Sequence, residues 1–192
     1  MSHLLQSPWT FYIYQKKTRG HNNTNDYESC IHKIAKVTTV EEFWGVYSRI
    51  IPLNKLGSNA IHFFRGDSRA MWEDDDNING GAFRIVLNKY HAPLKWENLL
   101  LDLIGEKLNY EFIGATITSK GEGFNLFIWN RTAVLDLTRS LSGEIFKSLD
   151  LAYKSTIKYT PHSRFVSTPG QDVKTTTYLL DTDGPITISD TK

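Results

Sequence analysis

Apolar and polar positions alternate with a period of two over several short stretches and recur at helical spacing over three longer ones. Trp9, Phe11 and Ile13 alternate with Thr10, Tyr12 and Tyr14, which predicts a strand with one buried face. Ile31 to Val37 predicts a weaker strand, Asn59 to Arg65 a third, and Phe83, Ile85 and Leu87 set the alternation of the next. Phe112 to Ser119 and Phe124 to Trp129 predict two strands joined by the short Gly-containing connection Lys120-Gly-Glu-Gly123. Leu151 to Thr160 and Thr175 to Leu180 bring the set to about eight. Thr39-Val-Glu-Glu42 has a hydroxyl followed three residues later by a carboxylate, a capping box that starts a helix. Val40, Phe43, Trp44 and Tyr47 then follow helical spacing, and Pro52 marks the end. A second helix starts near Pro93 and runs to about Leu108, with Trp96, Leu99, Leu100 and Leu103 in one stripe and Leu101 outside it. Val134, Leu137, Leu141 and Ile145 mark a third.

Strands linked by hairpin-type connections, with helices spread among them, imply an α+β single domain: an antiparallel sheet with its helices on one face. Two polar stretches stand out. Lys16 to Tyr27 is an Asn-rich loop, and Arg69-Ala-Met-Trp-Glu-Asp-Asp-Asp-Asn77 is a loop carrying a tryptophan and four carboxylates ahead of Gly80-Gly81. The domain is expected to span residues 1–180, with 181–192 a polar, disordered tail.

Composition narrows the function. The 192 residues carry a formal net charge of +1, so there is no global basic field, and any nucleic-acid contact must be small and local. The single Cys30 excludes an intramolecular disulfide framework and a cysteine zinc cage, and fits a reducing compartment. No signal-peptide pattern opens the chain, and no apolar run approaches the roughly 18 residues of a membrane span. The six His are scattered, without metal-ligand spacing, and no nucleophile elbow or phosphate loop occurs, so neither a catalytic group nor a metal or cofactor is assigned. The one route to catalysis is the run Glu73 to Asp76, whose paired carboxylates would suit a nucleotide hydrolase.

Ligand binding has more behind it. Trp72 sits beside Glu73, and Trp129 ends a strand. Two indoles can hold an aromatic cation between them, with a cation–π attraction on the order of 2 kcal/mol once water is excluded. A flanking carboxylate accepts the two donors on the Watson–Crick edge of guanine. Guanine methylated at its imidazole nitrogen is cationic and meets both demands. Lys120, at a hairpin turn, and Arg164 are available for its phosphates.

These residues are part of an ordered set. His3-Leu-Leu-Gln-Ser-Pro-Trp9, Thr39-Val-Glu-Glu-Phe-Trp44, Met71-Trp-Glu-Asp74, Gly80-Gly81, Leu103-Ile-Gly-Glu106, Gly114-Ala115 and Ile128-Trp129 resemble the motifs of eukaryotic translation initiation factor 4E, in that family's order, over roughly residues 3 to 162. The resemblance implies a curved antiparallel sheet with three helices on its convex face. It also implies binding of the 7-methylguanosine 5′ cap of messenger RNA. Trp72 would be one stacking aromatic and Glu73 the guanine-edge acceptor, while Trp129 would border the methyl group instead of stacking. The second stacking position, a Trp in most members, lies 17 residues before the helix Trp and falls here on Tyr27. Lys120 matches a phosphate-binding Arg, whereas Glu122, Asn125 and Ala82 stand where the family has basic residues, which leaves Arg164 and Lys174 as substitutes.

On the helical surface, the resemblance places a scaffold factor of the 4G type, or a 4E-binding repressor, against His3, Leu5, Val40, Trp44, Leu101 and Gly105. Leu4 replaces a family Pro there, and Asn98 a family Glu. The expected protein is a non-enzymatic, cytoplasmic initiation factor, with a nuclear pool as the alternative, monomeric outside its complex and without a membrane role. A cap-binding repressor or storage form that recruits no scaffold is the second reading.

Overall fold

The computed structural model describes residues 2–15, 25–163 and 175–191. Nine strands form a single open antiparallel sheet: β1 (Leu4–Tyr14), β2 (Ile31–Thr39), β3 (Ala60–Arg65), β4 (Gly81–Asn88), β5 (Phe112–Lys120), β6 (Gly123–Asn130), β7 (Thr156–Pro161), β8 (Thr175–Asp181) and β9 (Gly184–Thr191). Their order across the sheet is β2-β1-β3-β5-β6-β4-β7-β8-β9. A single turn, α1 (Asn25–Glu28), precedes β2, and three longer helices, α2 (Val40–Tyr47), α3 (Ala92–Ile104) and α4 (Leu135–Ser148), complete the fold.

Strand alternation sorts the two faces. Phe11, Phe63, Phe83, Ile85, Ile117, Leu126, Ile128 and Ile157 point to one side and pack with Phe43 of α2, Trp96, Leu99 and Leu100 of α3, and Leu141 and Ile145 of α4. This is the main core, and it explains why the helices share one face. The intervening residues point the other way. Tyr12, Phe64 and Trp129 form a smaller buried cluster there with Ala70 and Ile113.

Local chemistry sets the element ends. Both halves of the capping box at α2 are made: Glu42 N–H donates to Thr39 Oγ1 at 3.1 Å, and Thr39 N–H donates to Glu42 Oε2 at 3.2 Å. Helix α3 stops short of the expected Leu108, because Gly105 N–H closes on Leu101 O at 2.9 Å and Glu106 turns left-handed at φ 50°. Strand β7 begins at Thr156 instead of Leu151. Asp150 and Lys154 have φ of 44° and 64°, which makes 150–155 a pair of tight turns. The largest departure is at the end of the chain. Residues 184–191, expected as a tail, form β9 and pair with β8 from Asp181↔Gly184 to Thr175↔Thr191. Backbone pairing through a hairpin needs no apolar pattern, so composition alone concealed this strand.

Candidate ligand-binding cleft

The sheet face opposite the three longer helices holds a cleft of about 760 Å³, within the range of small-molecule sites. Of the residues expected to bind a ligand, Tyr27, Trp72 and Trp129 all line it. Glu73 is exposed outside the lining, Lys120 lines an adjoining depression, and Arg164 lies outside the described residues. Tyr27 and Trp72 are each 42% exposed, whereas Trp129 is 6% exposed, so two rings stand at the mouth and one in the floor.

Tyr27 is carried by the α1 turn, which closes through Cys30 N–H to Tyr27 O at 3.0 Å. Its ring stacks on Tyr14 of β1 with centroids 5.1 Å apart and planes 28° from parallel. Burial, then the neighbouring Tyr14 and Glu73, push its hydroxyl up to about 12. Glu73 thus lies within electrostatic reach of the Tyr27 hydroxyl.

The loop between β3 and β4 is held from within. Arg69 Nη2 and Nε donate to the two oxygens of Asp74 at 2.9 and 3.3 Å, and its Nη1 reaches Glu28 Oε1 at 2.5 Å, next to Tyr27. Asp76 accepts from Ser68 Oγ and from Arg131 Nη1, the latter at 2.7 Å. Asn77 has no exposed surface, and its Nδ2 donates to Arg69 O and Met71 O at 2.7 and 2.6 Å. Two of the four carboxylates are thus loop clamps. Gly80 and Gly81 follow because nothing larger fits: a Cβ would come within 1.8 Å of Asn130 O at Gly80 and 2.4 Å of the Tyr159 hydroxyl oxygen at Gly81.

Trp129 lies against His162, with ring centroids 4.4 Å apart, and against the edge of Phe64 at 5.4 Å. His162 Nδ1 faces Asn77 O at 2.9 Å, which assigns the proton to that nitrogen. His62 Nδ1 pairs with Thr116 Oγ1 at 2.9 Å. Burial lowers the pKa of both, that of His62 to about 3, so both imidazoles are neutral at pH 7. Their Nε2 atoms, like Trp129 Nε1, are buried with no hydrogen-bond partner among the described residues. Scattered through the sequence, these histidines gave no signal as a pair. The one hint was the period of two, which aligns His62 with Phe64 on the face opposite Ile61 and Phe63.

Two cations also line the cleft, Arg84 of β4 and Lys158 of β7, neither of which the sequence reading singled out. Arg84 Nε and Nη2 both donate to Asn125 Oδ1 at 3.1 Å. The same two side chains line the adjoining depression of about 340 Å³ that contains Lys120.

On the helical side, His3 and Val40 of the second expected set meet where β1 begins and α2 starts. His3 Nδ1 lies 2.7 Å from Glu41 Oε1, and Val40 N–H donates to His3 O at 2.9 Å. Trp44 is 40% exposed, and Leu5 and Leu101 are partly buried against the core. Gly105 is exposed at the end of α3. Ser7 of β1 is tied to this end by donating to Glu106 Oε1 at 2.6 Å. Arg65 forks onto the same carboxylate at 2.6 and 3.0 Å, its guanidinium 4.5 Å from the Trp9 ring and 4.6 Å from the Tyr110 ring.

Comparison with known proteins agrees with this architecture. The model of the family described as eukaryotic initiation factor 4E matches residues 4–176. Eukaryotic translation initiation factor 4E of Aplysia californica is 31% identical over 183 residues, covering 91% of this chain and 83% of the relative. Among solved structures, Ascaris suum eIF4E-3 in complex with an m7G cap superposes with a TM-score of 0.76 at 26% identity, covering 91% of this chain and 96% of that one. Schistosome eIF4E complexed with m7GpppG and 4E-BP also gives 0.76, at 26% identity, covering 90% and 96%.

Proposed function

The chain belongs to the eukaryotic initiation factor 4E family, and on that premise we propose that it binds the 7-methylguanosine 5′ cap of messenger RNA and recruits a scaffold factor through its helical face to initiate translation. The observation that carries this reading is the meeting of Tyr27 and Trp72, far apart in sequence, at the mouth of one cleft, with Glu73 close enough to perturb Tyr27. A methylated guanine carries positive charge on a flat ring, so it gains from two aromatic faces on the order of 2 kcal/mol in a dry site. The Glu73 carboxylate accepts from the two edge donors of the base, which distinguishes guanine from adenine. Trp129 borders the methyl group from the floor.

The cleft binds and does not turn over its ligand. Asp74 and Asp76, which a hydrolase would need, are engaged by Arg69 and Arg131. The compartment we assign is the cytoplasm, with a nuclear pool as the alternative. No helix among the described residues is long and apolar enough to cross a membrane.

Quenching of tryptophan fluorescence by 7-methyl-GTP against GTP tests the base reading. A clear preference for the methylated nucleotide is expected, and equal affinities would overturn the reading. The repressor alternative draws on the helical face: Asn98 is exposed and uncharged, while Glu97 beside it is half-buried. That face presents an altered charge pattern to a partner helix. A scaffold-derived peptide that binds the wild type and loses affinity on Trp44→Ala supports recruitment, and no binding by the wild type supports the repressor.

A further inference from the structure

Arg84 and Lys158 stand directly opposite each other across the β4–β7 pair. Like charges in that relation repel, which is unfavourable unless an anion lies between them. Among the described residues, neither pairs with a carboxylate. On the Trp72 loop the contrast is sharp, for Arg69 and Arg131 are each committed to an aspartate. Arg84 is also aimed: Asn125 Oδ1 receives two of its five donors and fixes the guanidinium plane, leaving the others unspent. Finally, the two side chains line both the base cleft and the depression that holds Lys120, so they mark the passage from one to the other.

We infer that Arg84 and Lys158 form the principal anion clamp of this protein, gripping the phosphate chain of the nucleotide whose base sits against Trp72, with Lys120 beyond them. This rests on the base reading above. Arg84 offers a planar fork suited to two phosphate oxygens, and Lys158 a point charge from the facing strand. A chain running from the base toward Lys120 crosses between them and relieves their repulsion. The clamp reads charge on the ligand and not the identity of its base.

The test is a comparison of 7-methylguanosine, 7-methyl-GTP and GTP on wild type, Arg84→Gln and Lys158→Ala. Lys158 is exposed, so its replacement leaves the fold intact and keeps the test informative should Arg84→Gln fail to fold. The expected result is about a tenfold loss of 7-methyl-GTP affinity in each variant, with the affinity of the phosphate-free nucleoside unchanged. The wild-type preference for the triphosphate should also weaken as salt is raised, and less so in the variants. Unchanged 7-methyl-GTP binding in both variants, or equal losses for nucleoside and triphosphate, would overturn the clamp. Failure of the base reading is distinguishable, since it shows as equal wild-type affinity for 7-methyl-GTP and GTP. The clamp is then judged on GTP alone, whose binding must still fall in both variants.

Discussion

Replacing Asn77 by alanine should damage the cleft without touching any ligand. The side chain is fully buried and its amide bonds two carbonyls, those of Arg69 and Met71, on either side of Ala70 and next to Trp72. Each bond contributes about 1 kcal/mol net, and truncating a fully buried side chain adds the cost of the space it leaves, so the total is about 2–4 kcal/mol. In a domain of this size that corresponds to a fall in Tm of about 5–10 °C. The backbone bond from His162 to Asn77 O survives, so the floor under Trp129 stays in place. The loss falls instead on the ordering of Trp72 and Glu73, and apparent affinity drops by the fraction of molecules whose loop remains competent. Differential scanning calorimetry and a 7-methyl-GTP titration measure the two effects on the same preparation. A Tm and an affinity both equal to wild type would refute the reasoning. A fall in Tm alone would confine Asn77 to the fold and separate it from the site.

Three further outcomes follow from particular contacts. Tyr27→Trp should tighten 7-methyl-GTP binding by about 1 kcal/mol, roughly fivefold, because an indole offers a larger face; no gain on titration would remove Tyr27 as the partner ring. Glu73→Ala should remove most of the discrimination between guanine and adenine cap analogues, about 1–3 kcal/mol, while leaving Tm near wild type, since the residue is exposed. Burial raises the pKa of Glu106, but hydrogen bonds from Arg65 and Ser7 outweigh it and hold the carboxyl below its ordinary 4.5. A depressed folded-state value means that this ion pair stabilises the protein fully above the unfolded value and loses its effect as pH falls through the folded one. Wild-type Tm should therefore drop below about pH 4.5, and Glu106→Ala, which strands a buried guanidinium at a cost of about 3 kcal/mol, should lose less on the same acidification.

Much of this was legible from sequence, for a reason that also explains what was not. Strand alternation at Phe83-Ile85-Leu87 and the capping box at Thr39 are local signals, and both are realised. Trp72 and Glu73 are adjacent in the chain, so their pairing needed no fold. Tyr27 was reached through family spacing alone, because nothing local marks a tyrosine in a polar stretch as a cleft wall. Arg84 and Lys158 escaped because their partnership exists only in the β4–β7 register, and register between strands 74 residues apart leaves no trace in composition. Replacement cations were sought at Arg164 and Lys174, late in the chain, while Arg84 lay two residues beyond Ala82 on the same strand face. Asp74 and Asp76 read as candidate hydrolytic carboxylates until the structure supplied Arg69 and Arg131.

The order of strands across the sheet has a bearing on how the protein comes to exist. β4 is flanked by β6 and β7, and β3 by β1 and β5, so the floor of the cleft is woven from segments that the ribosome delivers far apart in time. Such non-local pairing must close long loops before any contact rewards it, which makes folding slow relative to helical domains of equal length. A nascent chain that has emerged only through β6 already carries Tyr27, Trp72 and Trp129, yet it lacks Lys158 opposite Arg84 and His162 beneath the indole. The cleft is thus completed only by the last third of the chain, and ligand affinity can serve as a reporter of finished folding.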